Sequence, residues 1–155
     1  MSLVTELLAV AGAGYVIMRG MPDAEALAAV VIAEAGDIDP GPEWAGIMQV
    51  AQNRARAWGA TLDDVIRSRV EGRPVWNNAR AFLRMLDNAP QSPRYRRAML
   101  FAAAQLMGAH RNLIGARKNF CHPCSMGALP SWAVSSSDGG KASYEPLRVG
   151  RAVFS

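Results

Sequence analysis

Helix punctuation constrains this chain more than any other feature. Pro22, Gly36, Pro42, Gly59, the pair Ser92-Pro93 and Gly108 cut its first two thirds into pieces of ordinary helical length. Proline suits a first helical turn, where its missing N–H has no partner to lose, and glycine accepts the left-handed conformation that ends many helices. The stretch from Asp23 to Ala35, opened by Pro22 and Asp23 and closed by Gly36, predicts a helix with Leu27, Val30 and Val31 on one face. A second helix should run from Pro42 to Trp58, just before Gly59, and bury Trp44, Ile47, Met48, Val50, Ala51 and Ala55. Thr61 and Asp64 resemble a capping box, with Asp in place of the usual Glu, and start a short helix toward Arg69. After the loop Glu71-Gly72-Arg73-Pro74, the segment Trp76 to Asn88 reads as a helix with Phe82, Leu83 and Leu86 turned inward. Ser92 and Pro93 then open a long helix toward Gly108.

The texture changes after Arg111. Gly, Pro and Ser become frequent, as in Ser135-Ser136-Ser137-Asp138-Gly139-Gly140, and the remainder reads as loops with short strands or turns. With 155 residues the chain has the size of one domain, which can bury about two thirds of the surface its unfolded chain exposes. The expected organisation is a single, mainly α domain over 1–155: an apolar N-terminal helix within 1–20, a helical core over 22–110 and a loop-rich lobe over 111–155 that could hold a substrate groove. Half the residues are apolar and 19% are charged, which argues against disorder.

The net charge of +4 is unevenly spread: residues 1–66 hold 3 Arg/Lys against 9 Asp/Glu, and residues 67–155 hold 14 against 4. A basic half attracts polyanions such as nucleic acid, anionic lipid or the carboxylates and phosphates of a cell wall, and it equally describes a solvated face without a partner. No interleaving of aromatic and basic residues and no zinc-finger spacing occurs, so a nucleic-acid partner is not expected. The segment Leu3 to Met18 is apolar, but it has 16 residues, contains Glu6 and follows no Lys or Arg. A membrane span needs about 20 residues. A buried helix is the expectation for residues 3–18, with a weak signal-anchor and membrane contact as the alternative.

Glu34 lies seven residues after Leu27 and four after Val30, on the apolar stripe of its helix. A carboxylate removed from water needs a partner cation or a raised pKa, and a raised pKa is what a general acid near neutral pH requires. Alternatively, Glu34 turns to solvent or meets an arginine such as Arg54.

The words around it carry a resemblance. Ala33-Glu34-Ala35-Gly36, followed after a Pro/Gly loop by Ala45-Gly46-Ile47-Met48-Gln49-Val50-Ala51-Gln52-Asn53-Arg54, then Gly115-Ala116-Arg117-Lys118-Asn119-Phe120, Pro130-Ser131-Trp132-Ala133 and Gly150-Arg151-Ala152-Val153-Phe154, resemble in order the elements of the spore-cortex-lytic cell-wall hydrolase family (SleB type). The resemblance spans roughly residues 25–155. It implies a lysozyme-like helical domain with a loop-rich C-terminal lobe, acting without a cofactor on the glycan strands of peptidoglycan. Glu34 matches the family's catalytic acid. The implied reaction is that of a lytic transglycosylase, in which one carboxyl group protonates the bridging oxygen between N-acetylmuramic acid and N-acetylglucosamine and then takes the proton of the sugar's 6-hydroxyl, leaving a 1,6-anhydro end. Asn53 and Arg54 match the family's Asn-Arg pair; Asn53 could orient Glu34 or bind an N-acetyl group. Three positions depart from the pattern: Gly36 stands for an arginine, Asn119 for a histidine, and the last element lacks its histidine within Arg151-Ala152. Asn119 can still hydrogen-bond to sugar but cannot shuttle protons.

Other readings stay open beside this one. Phage-type lysozymes use an Asp nine residues after the acid and a Thr six beyond it, where this chain has Glu43 and Gln49, so Glu43 or Asp39 is a candidate second carboxylate. Gln49, Asn53, Arg54, Asn119, Phe120 and Trp132 are the candidate substrate contacts, and each has a structural alternative: Asn53-Arg54 could pair with the acidic loop, and Phe120 and Trp132 could be core. Cys121-His122-Pro123-Cys124 suits a disulfide, free thiols, a redox pair, or, with His110, Cys121, His122 and Cys124 together, a zinc site; a disulfide or thiols is the expectation, and no metal. The alternative to an enzyme is a non-catalytic structural or interaction protein, such as a phage virion component that keeps the hydrolase fold. Action at the cell wall or periplasm would then follow delivery by a holin or by the virion.

Overall fold

The computed structural model describes residues 22–35, 39–70, 73–74, 76, 92–121 and 147–154. The described residues are mainly helical. Four helices, α1 (Pro22–Glu34), α2 (Pro42–Trp58), α3 (Leu62–Arg67) and α4 (Pro93–Leu106), accompany two small antiparallel sheets. One sheet is the hairpin β1 (Arg69–Val70) with β2 (Arg73–Pro74); the other has the order β3 (Phe120–Cys121), β5 (Ala152–Phe154), β4 (Leu147–Val149).

Helix α1 lies at the centre, with α4 as its most extensive neighbour and α3 and α2 also against it. The expected single apolar face is corrected here: Ala24, Ala26, Leu27, Ala28, Ala29, Val30 and Val31 are all buried, so the helix is covered on every side. Alanine at four of these positions keeps the helix thin, and a helix apolar all round is one that neighbours enclose. Asp23 and Glu25 in its first turn complement the positive end of the helix dipole.

Helix α2 is two-sided. Trp44, Ile47, Met48, Val50, Ala51 and Ala55 enter the core, as the spacing predicts. Pro42 stands in the first turn, and Gly59 at φ 60° ends the helix in the left-handed region, its amide and that of Ala60 reaching back to Arg56 and Ala55. The capping box at Thr61 forms in both directions: the Asp64 amide donates to Thr61 Oγ1 at 3.1 Å, and the Asp64 carboxylate accepts from the Thr61 amide at 3.3 Å. Bonds from the Thr61 side chain and backbone hold the Asp64 carboxyl below its ordinary pKa. This helix ends at Arg67, two residues before the expected stop, because Arg69 and Val70 leave it to pair with Pro74 and Arg73 across Glu71-Gly72. Ser92 caps α4 by accepting from the Tyr95 amide at 3.2 Å.

The C-terminal strands press onto the first half of α2. The buried ring of Phe154 lies against Gly46, where an added Cβ would stand 2.6 Å from Phe154 Cζ. One turn earlier, the buried Glu43 accepts from the Arg151 amide at 2.8 Å and fills the space beside Gly150, which turns the hairpin at φ +59°. Gly46→Ala is therefore expected to cost about 1–3 kcal/mol, because an overpacked contact must displace a whole ring. A lowered midpoint in urea, with an unchanged slope, is the readout; an unchanged midpoint would mean that the sheet stands off the helix.

The expected helices at 3–18 and Trp76 to Asn88 lie outside the described residues, apart from Trp76 itself, which sits in a turn. Among the described residues no helix is long and apolar enough to cross a membrane.

Candidate functional site

Along α2, Gln49, Gln52 and Asn53 follow one another at helical spacing and form a polar row, with Arg54 beside it. The row sits against the loop that leaves α4. Gln49 Nε2 donates to the Arg111 carbonyl at 2.7 Å, and its Oε1 accepts from the amides of Leu113 at 2.9 Å and Ile114 at 3.4 Å. Asn53 Nδ2 donates to the carbonyls of Gly115 at 2.8 Å and Arg117 at 2.7 Å. Gln52 Oε1 accepts from Gln105 Nε2 at 2.9 Å and ties α2 to α4. Gln49 and Asn53 are buried, and these bonds engage both of their amides with backbone groups of the protein itself.

Arg54 occupies the meeting point. Its Nε donates to the Lys118 carbonyl at 2.7 Å, one Nη donates weakly to Asn119 Oδ1 at 3.4 Å, and the guanidinium lies 4.7 Å from the centre of the Trp76 ring. Burial pushes its pKa down from 12.5 to about 10, and the negative charge of Glu34 acts in the opposite direction. The group remains a cation at neutral pH, short of water and close enough to Glu34 to feel it. That attraction is mutual, and a neighbouring cation favours the ionised form of a carboxylate. Glu34 stands at the half-buried end of α1, where its charge reaches Arg54.

The aromatic floor continues from Trp76. Phe120 stacks on it at 5.8 Å with 28° between the planes, and Phe154 lies 6.0 Å beyond Phe120. Phe120 is half-buried in this row and Trp76 is fully buried. Trp76 is the residue of this neighbourhood that sequence reasoning did not assign to the site. It lies far from the matching words in the chain, and a lone tryptophan offers no spacing from which a contact with Arg54 could be read.

The remaining candidates separate. Glu43 lies at the start of α2 with one carboxylate oxygen engaged by the Arg151 amide, and Asp39 is exposed. His110 stacks on Phe101 at 4.1 Å, and Phe101 in turn meets the edge of Trp44 at 5.7 Å. Cys121 pairs with Val153 in the sheet, whereas His122, Cys124 and Trp132 lie outside the described residues. Among the described residues no group of three or more His, Cys, Asp and Glu is placed to hold a metal ion.

The chain matches no family model, no curated protein and no solved structure.

Proposed function

We propose that this protein cleaves the glycan strands of peptidoglycan between N-acetylmuramic acid and N-acetylglucosamine, with a lysozyme-like use of its helical domain and Glu34 as the acid. The observation that carries the reading is a convergence. Glu34, Arg54 and Asn119 belong to three separate words of the sequence, and the charge of Glu34 and the side chain of Asn119 both act on the Arg54 guanidinium, above the Trp76–Phe120 stack. In the reaction, the Glu34 proton passes to the bridging oxygen as its bond to C1 breaks. The 6-hydroxyl oxygen bonds to C1, its proton returns to Glu34, and no water is consumed. A one-carboxylate scheme suits a protein whose Glu43 is committed to the Arg151 amide. Mass spectrometry of fragments released from purified peptidoglycan tests this: anhydromuramic ends support it, and reducing ends would replace it with a hydrolase using a second carboxylate such as Glu43 or Asp39.

Arg54 sets a condition on this chemistry. The acid works only when protonated, so activity falls as pH rises through its pKa, and removing a nearby cation raises the pH at which a carboxyl group ionises. Arg54→Gln is expected to move the limb to higher pH, while Arg54→Lys leaves it nearly in place. A purely structural Arg54 would instead scale the rate equally at every pH.

The second reading is a non-catalytic protein of a phage particle that keeps the architecture for binding, with virion proteins as its partners. One observation favours it: Gln49 and Asn53 are engaged with backbone rather than open to a sugar. Release of no fragments by a folded protein would select it. In either case the proposed place of action is the cell wall, reached by holin or virion delivery.

A further inference from the structure

Trp76 has a polar atom that the fold leaves unused. The residue is 2% exposed, and its indole Nε1 finds no hydrogen-bond partner among the described residues, although a buried tryptophan ordinarily pairs this group. A buried donor without a partner is a loss that phenylalanine would not incur. What tryptophan provides here is its face, above which the Arg54 guanidinium stands 4.7 Å from the ring centre. Of the aromatic side chains, tryptophan attracts a cation most strongly.

The ring is itself fixed from α2. Phe120 stacks on Trp76 at 5.8 Å, Phe154 lies 6.0 Å beyond Phe120 and faces it across β3 and β5, and the Phe154 ring rests on Gly46. Arg54 leaves the same helix about two turns after Gly46, so the row of rings begins and ends on α2. The guanidinium is then held by three contacts: its Nε donates to the Lys118 carbonyl, an Nη donates to Asn119 Oδ1, and the indole covers it. The bond to Asn119, at 3.4 Å, is weak. The ring and the Lys118 carbonyl therefore do most of the placing. A cation kept from water is screened less than an exposed one, so its field persists at a neighbouring carboxylate.

We propose that Trp76 is a positioning residue of this site, whose ring face fixes the Arg54 guanidinium and thereby the positive charge that reaches Glu34. Its consequence for catalysis rests on the reading of Glu34 as a glycan-cleaving acid, whereas the placing of the cation is measured without cleavage.

Three variants of the full chain separate this role from packing. Trp76→Phe keeps a ring face and loses the unpaired N–H, Trp76→Leu loses the face, and Phe154→Leu breaks the same row two rings away from Arg54. The first readout is the Arg54 Nε–H signal in ¹⁵N-edited NMR spectra, identified by its loss in Arg54→Gln and displaced by the ring current of Trp76. The second is the pH profile of fragment release from purified peptidoglycan. The helices packed on α1 also hold Glu43 and Arg56 on α2, Asp63, Asp64 and Arg67 on α3, and Arg94, Arg96 and Arg97 on α4. All of these stay the same in every variant, so the differences between profiles report Arg54.

The parent and Trp76→Phe are expected to show the displaced signal and nearly the same profile. Trp76→Leu should lose the displacement and move the descending limb to higher pH by roughly a few tenths of a unit, in the direction of Arg54→Gln. Added to Arg54→Gln, it should move the limb no further, because the two changes act on one charge. Phe154→Leu should lower the melting temperature and leave both readouts as in the parent. An undisplaced Arg54 signal in the parent overturns the proposal even if Trp76→Leu fails to fold. Equal changes in Trp76→Leu and Phe154→Leu overturn it too, since Trp76 would then be one more packing residue. A displaced signal in a parent that releases no fragments supports the placing of Arg54 and removes only the reading of Glu34 as an acid.

Discussion

Glu34→Gln is expected to reduce the release of soluble fragments from purified peptidoglycan by about 10²–10⁴-fold, the range that a positioned general acid contributes. Glutamine keeps the shape of the side chain and can still bond to a sugar oxygen, but it has no carboxyl proton to give or retrieve. It also leaves Arg54 without the charge that offsets its burial, so a small loss of thermal stability should accompany the loss of rate. Glu43→Gln is the matched control. Its side-chain carbonyl can still accept from the Arg151 amide, so the hairpin should stay in place and fragment release should continue at close to the parental rate. Release that survives Glu34→Gln would sink the single-acid reading. Release lost in both variants would require a second carboxylate with a water between, the geometry of inverting glycosidases.

The largest stability effect is expected at Gln49. Replacement by leucine preserves most of the volume but removes the partner of the Arg111 carbonyl and of the Leu113 and Ile114 amides together. Each buried group left unpaired costs about 1–3 kcal/mol, and the Ile114 amide, at 3.4 Å, depends least on the bond. A loss of about 3 kcal/mol follows, which in a domain of this size lowers the melting temperature by roughly 6–12 °C. Gln49→Glu should fall between leucine and the parent, because it keeps the acceptor for the two amides and loses the donor for the carbonyl. A melting temperature unchanged in Gln49→Leu would mean that water serves these groups as well as the side chain does.

Both experiments turn on residues whose type was visible and whose partners were not. Gln49 and Asn53 have the residue types of sugar-binding side chains, and the spacing on α2 correctly places them on one polar row. What faces that row is main chain from a segment more than sixty positions away. Backbone carbonyls and amides look alike whatever side chain they carry, so the sequence contains no mark of them. Glu43 shows the same limit. A carboxylate nine residues after Glu34 suggests a second catalytic group, whereas its observed bond goes to the turn at Gly150-Arg151, 108 positions away in the chain.

The starts of α2, α3 and α4, and the end of α2, belong to the sequence alone. Pro42 and Gly59 delimit α2, Thr61 with Asp64 starts α3, and Ser92 with Pro93 starts α4, because a cap, a missing N–H and a left-handed residue act within a few positions of themselves. A carboxylate on an apolar stripe must find a cation or become neutral, so the sequence marks Glu34 as unusual without saying which. The tertiary structure decided the rest: that α1 is enclosed on every side, that α3 yields its last residues to a hairpin, that Trp76 and Asn119 meet at Arg54, and that the polar row of α2 serves a loop. The difference is one of range. Capping and backbone preference are local energies carried by a residue's own type, whereas burial and long-range hydrogen bonding depend on which atoms the completed fold brings opposite it.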